Sequence, residues 1–143
     1  MMKKNYLLIA LRLISAIIML QTLYFKFTGH PEAVHIFSTI GMEPWGRIGV
    51  GVGELIASAL LLIPATVWMG AAMGIGLMMG ALFFHLTTPL GIQVMFTDAN
   101  GQMVNDHGQL FLMALIVLVS CAIILWKHKD NLISFINLLL RKK

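Results

Sequence analysis

Val67-Trp-Met-Gly-Ala-Ala-Met-Gly-Ile-Gly-Leu-Met-Met-Gly-Ala-Leu-Phe-Phe-His85-Leu-Thr-Thr-Pro-Leu90 contains no Asp, Glu, Lys or Arg. At 1.5 Å per residue, a helix of this length exceeds the ~30 Å of bilayer hydrocarbon. A spanning helix needs about 20 mainly apolar residues. Three more segments meet that requirement: Tyr6 to Thr28, Trp45 to Ile63, and Gly108 to Trp126. Trp45, Trp68 and Trp126 stand at segment ends, where an indole sits well among lipid headgroups. The fold expected is an all-α membrane protein, a bundle of four transmembrane helices forming a single unit over residues 1–143.

Composition agrees. The chain of 143 residues is 59% hydrophobic and 11% charged, with a mean hydropathy of +0.88. Soluble domains carry about 25% charged residues, and a chain this short has too much surface to hide such apolar content in water. The net charge of +4 is a topology signal rather than a nucleic-acid footprint. Lys3, Lys4, Lys127, Lys129, Arg141, Lys142 and Lys143 crowd the two tails, while the interiors of the long loops 29–44 and 91–107 have no Lys or Arg. By the positive-inside rule, both termini and the short turn Pro64-Ala-Thr66 are expected in the cytoplasm. The long loops then face outward across a bacterial cytoplasmic (inner) membrane. No basic stripe interleaved with exposed aromatics supports nucleic acid as a partner. Arg12 interrupts the apolar run after Lys3-Lys4, and no A-x-A-like site follows, so the first segment reads as a retained helix.

Two smaller elements are expected. Residues 92–104 fit a hairpin around Asn100-Gly101 or a plain loop. After Trp126, the tail 127–143 places Lys127, Asp130, Asn131, Ser134, Asn137 and Arg141 on one helical face with Leu, Ile and Phe opposite. That suits an amphipathic helix on the inner leaflet, or an extension of the fourth span.

Ionisable groups in the hydrocarbon region are costly and turn toward the bundle interior. Here they are Arg12, Lys26, Arg47, Glu54 and His85. On helical wheels, Arg12 aligns with Ala16, Met19, Leu23 and Lys26. Arg47 aligns with Val50, Glu54, Ser58 and Leu61, and His85 aligns with Ala81, Met78, Gly74 and Ala71. Small residues mark close helix approach: Gly49-xxx-Gly53, Gly70-xxx-Gly74 and Gly76-xxx-Gly80. From depth, Arg12 and Glu54 are expected to form a buried ion pair. Lys26, Arg47, His85 and His107 are expected to line an outward-facing pocket with Glu54 as its floor. Each group also has a bland role: a register-fixing pair, a helix-to-helix bond, or snorkelling to headgroups. Gln21, opposite Arg12, fits none of these.

Metal ligation is not supported. His30-Pro-Glu-Ala-Val-His35 lacks zincin spacing, and only His85 of the histidines is clearly inside, whereas paired haem ligation needs two. The lone Cys121 excludes an intrachain disulfide and a CxxC redox pair.

Leu11-Arg12-Leu13, Tyr24-Phe25-Lys26-Phe27, Gly51-Val-Gly-Glu54-Leu-Ile and Phe83-Phe84-His85 together resemble the DoxX-like family of small four-helix membrane proteins. The resemblance covers about residues 6–126. Two glycines of the family pattern are absent, one before Lys26 and one at Ile63-Pro64. The family takes its name from a subunit of a quinone-linked sulfur-oxidising complex. The resemblance therefore implies a membrane subunit or accessory of a redox or respiratory system, with a quinone as the cofactor it brings in. A structural or assembly partner and a small-solute or proton transporter stand beside it. Partners expected are membrane lipid, with other membrane subunits or further copies of the chain.

Overall fold

A computed structural model describes residues 5–141; Lys3, Lys4, Lys142 and Lys143 lie outside the described residues. Its helices are α1 (Tyr6–Thr28), α2 (Pro31–Thr39), α3 (Trp45–Leu62), α4 (Val67–Thr87), α5 (Gln109–Lys127) and α6 (Lys129–Arg141). A short hairpin, β1 (Met95–Thr97) and β2 (Met103–Asn105), precedes α5. The helices α1, α3, α4 and α5 are long and apolar enough to cross a membrane, α4 together with the turn before it. They run up, down, up, down and close a ring in which α1 meets α3 and α5, and α4 meets α3 and α5. Ile17, Phe83, Leu112 and Val119 point outward and are exposed, as lipid-facing side chains should be. This is an all-α membrane protein.

Helix ends follow from local chemistry. At Gly29, α1 stops with φ +69°, and the His30 N–H donates back to the Phe25 carbonyl at 3.0 Å. A left-handed residue followed by that return bond is the usual glycine C-cap. Ile63 is extended before Pro64, ending α3, and a 3-10 turn over Pro64–Thr66 leads into α4. The third span was expected to reach Leu90 and stops at Thr87. Thr88 is extended (φ −119°, ψ 168°) because the ring of Pro89 disfavours helical backbone in the residue before it.

The core runs along the ring axis through Met19, Ala57, Leu61, Val67, Ala71, Met78, Ala114, Val117, Cys121 and Ile124. Among the Gly-xxx-Gly pairs, Gly70 makes the tightest crossing. A Cβ built there would lie 2.6 Å from the Leu61 nitrogen and 2.9 Å from the Ala57 carbonyl oxygen. Gly76 and Gly80 instead face open space, with nothing within 4 Å.

Over the loop end of the ring sits a cap absent from the expectations: residues 29–44 hold α2. His30 precedes the helix and its Nδ1 accepts the Glu32 N–H at 3.3 Å, with Pro31 at the first helical position. The hairpin pairs Met95 with Asn105, Phe96 with Val104 and Thr97 with Met103. Its turn is wider than two residues: the Asp98 carboxylate accepts the Asn100 and Gln102 N–H groups at 2.9 and 2.8 Å. Leu90, Val94 and Phe96 form a second small core beneath it, against Ile36, Val104 and Leu110. At the other end, α6 is a helix of its own, separated from α5 at His128, and its Phe135 ring packs 5.3 Å from that of Trp68 on α4.

Candidate functional site

Five charged or ionisable side chains lie on the inward faces of α1, α3 and α4, and the structure divides them between two tasks. Two arginines close helix ends. Arg12 on α1 donates from Nε to the Leu61 carbonyl at 2.7 Å and from Nη2 to the Leu62 carbonyl at 2.9 Å. The last carbonyls of a helix have no intrahelical donor, and leaving them bare in lipid costs several kcal/mol each. Arg47 on α3 does the converse, with Nη1 donating to the Lys26 carbonyl in the last turn of α1. Its other nitrogens grip Glu43, Nη2 lying 2.7 Å from Oε1. Each arginine thus caps the C-terminus of the other's helix, where positive charge also complements the helix dipole.

The expected Arg12–Glu54 pair is therefore not formed. Leu61 lies two turns beyond Glu54 on α3, about 10 Å further along the axis. The guanidinium finds carbonyls at its own depth before it could reach the carboxylate. Glu54 is taken instead by Lys26, whose Nζ lies 3.0 Å from Oε2. Lys26 bends into the bundle rather than snorkelling away, and it also donates to Thr22 Oγ1 at 2.9 Å. Thr22 Oγ1 lies 3.0 Å from the same Glu54 oxygen. Side-chain exposure is 14% for Lys26 and 6% for Glu54, so this is a buried pair with a hydroxyl completing its triangle.

This triangle forms part of the wall of a cavity of about 270 Å³ lined by α1, α3, α4, α5 and the cap. Met19, Phe37, Met78, Phe84, Leu110 and Met113 make most of the remaining wall apolar. His85 stands on its α4 side, buried, with Nδ1 2.6 Å from the Gly91 carbonyl oxygen. A carbonyl can only accept, so Nδ1 carries the proton in the neutral ring. Nε2 is left as an acceptor, with no hydrogen bond among the described residues. Phe111 packs edge-on against the ring, 5.8 Å between centroids.

Of the pocket residues expected, the structure brings Lys26, Glu54 and His85 to one cavity. Arg47 is committed to Glu43 and the α1 terminus. His107 is exposed in the turn before α5 at φ 54°, its N–H donating to Asn105 Oδ1 at 2.7 Å. Asp106 beside it caps α5 and pins the hairpin, accepting the Val94, Gly108 and Leu110 N–H groups at 2.7, 2.9 and 3.2 Å. Thr22 was missed in sequence, though it lies four residues before Lys26 and so on the same face. Gln21 gains an account: its Nε2 lies 3.1 Å from Met113 Sδ on α5.

Chemically, the cavity offers a hydrogen-bond donor in Lys26, an acceptor in His85 Nε2, and apolar walls between them. Mostly apolar walls with a few convergent polar groups are the usual make-up of a small-molecule site, typically about 300–1,000 Å³. No match is found among curated proteins or among solved structures. The DoxX family model matches residues 7–87, more than half of the chain, spanning α1 to α4 and including Arg12, Lys26, Glu54 and His85. The chain belongs to the DoxX family.

Proposed function

We propose that the inner cavity binds the headgroup of a lipid-soluble, carbonyl-bearing molecule, in the first place a quinone. On this reading the protein serves a quinone-linked redox system of a bacterial cytoplasmic membrane as a membrane subunit or accessory, with its long loops facing outward. The observation that carries the reading is the pairing, across one apolar cavity, of a buried Lys26–Glu54–Thr22 triangle with the His85 imidazole. Buried charges that serve only the fold have no need to face open space. A cavity of about 270 Å³ suits a ring-sized headgroup better than a whole prenylated molecule. Gly76 in its wall is exposed on the bundle surface, which offers a tail a way out to lipid.

The alternative, a structural or assembly partner with no ligand, is favoured by the two arginines, which act only on helix ends. It gives no use to the cavity that the Lys26 triangle lines or to the unbonded His85 Nε2. Mass spectrometry of the protein purified in mild detergent distinguishes the readings. Wild type should carry extractable quinone, and His85→Ala should lose it while still folding. Empty wild-type protein, or full retention by His85→Ala, would favour the structural reading.

A further inference from the structure

A second cavity of about 290 Å³ adjoins the first and shares Thr22, Lys26, Ile36, Phe37, Leu110 and Met113 with it. Its own walls add Gln21, Glu32 and Gln109, so it is the more polar of the two. Gln109, the first residue of α5, is exposed, which puts this cavity against water at the loop end of the bundle. Lys26 lies at the junction, lining both cavities, with its ammonium on Glu54.

Glu32, in the first turn of α2, is half-buried in this outer cavity. Among the described residues its carboxylate has neither a hydrogen bond nor an ion pair, its backbone N–H alone being engaged, with His30. Burial pushes its carboxyl pKa up from 4.5, and the negative charge of Asp106 adds to this, while His30 and Lys26 oppose it. The neighbouring charges on other elements are committed: Arg47 of α3 to Glu43, Glu54 of α3 to Lys26, and Asp106 to backbone N–H groups. β1 contributes no titratable group. An unpartnered acid in the wall of a cavity that Lys26 also lines has the make-up of a proton carrier.

We propose that Glu32 exchanges protons between water at the loop end and the Lys26–Glu54 pair in the wall of the inner cavity. In the inward direction, hydronium in the outer cavity protonates the Glu32 carboxylate. The neutral acid then passes that proton through cavity water to Lys26 as Lys26 releases one to Glu54, or to an oxygen of a bound molecule. One O–H or N–H bond forms for each that breaks, Lys26 ends with the three protons it began with, and no electrons move. The proposal rests on the ligand reading for its purpose, since a headgroup that changes protonation needs such a route. Neither measurement that tests it requires a ligand.

Both use the full chain in lipid nanodiscs, where reagents reach either face. The first places a thiol at the junction, Thr22→Cys in a Cys121→Ser background, and adds small membrane-impermeant methanethiosulfonates. Modification is expected, several-fold faster for the cationic reagent than for the anionic one, with that preference reduced when Glu32→Gln is added. A thiol that reacts only with a membrane-permeant maleimide would overturn the proposal. The second follows the infrared carbonyl band of protonated carboxyl groups against pH. A component should titrate above pH 4.5 and vanish in Glu32→Gln. Its absence, or its persistence in that variant, overturns the assignment even if the cysteine variant does not fold. A wet junction with a titrating Glu32 in a protein that carries no quinone would sink the ligand reading alone. Bound quinone beside an inert junction would sink only this one.

Discussion

Lys26 and Glu54 hold each other in the bundle interior, their charged atoms 3.0 Å apart. Removing one partner of a buried pair leaves an uncompensated charge, at a cost of about 3–5 kcal/mol. Glu54→Ala and Lys26→Met should each lose about that much, read by denaturant or thermal unfolding in detergent. The double variant Lys26→Met/Glu54→Leu should recover most of it, because apolar replacement of both partners restores a satisfied interior. Additive losses would mean that the two side chains do not act as a pair. Glu32 gives a prediction in pH. Its folded pKa is raised above 4.5, so between 4.5 and that raised value the native state binds more protons than the unfolded chain. Stability should therefore fall as pH rises through this window and level off above it. Glu32→Gln should flatten that slope in melts across pH. An unchanged slope would assign it to another group. At this scale the sequence showed which side chains face inward, because wheel angles depend only on position. It did not show which inward groups meet. Arg12 was assigned to Glu54 from depth and inward facing, whereas the nearer carbonyls of Leu61 and Leu62 claimed it.

Glycine has two uses along a single helix, α4. At Gly70 the backbones of α3 and α4 touch, so Gly70→Ala must push them apart, costing about 1–3 kcal/mol by analogy with overpacked cores. At Gly80 an added Cβ meets nothing within 4 Å, and the residue lines the inner cavity. Gly80→Leu should fold normally and exclude the proposed ligand by filling its space. If Gly80→Leu unfolds while Gly70→Ala does not, the roles of the two are reversed. Spacing alone could not separate them, since small-xxx-small patterns occur at both places. The spans themselves were legible to within a few residues, because lipid demands long apolar runs. What escaped was α2, too short to show periodicity and begun by a histidine rather than a usual capping residue. With it went Glu32. The Pro31-Glu32 start was the available signal, as proline at the first position and an acid in the first turn favour helix entry.

For the molecule as a whole, an even number of spans puts both chain ends on one side of the membrane, and basic residues at those ends favour the cytoplasm. Alkaline phosphatase fused at Asn100, in the hairpin turn, should be active, and fused after residue 141 inactive. The opposite result would turn the cavity mouth toward the cytoplasm. The two reciprocal arginine caps also bear on how such a bundle can move. Sliding α1 past α3 by one residue would tear both caps open together, one at each end of the membrane, so these two helices form a stator. A molecule bound as proposed would then enter and leave past α4, α5 and the small cap above them. Spin labels across the α1–α3 seam should report a fixed separation, while labels across α3 and α4 should report a spread.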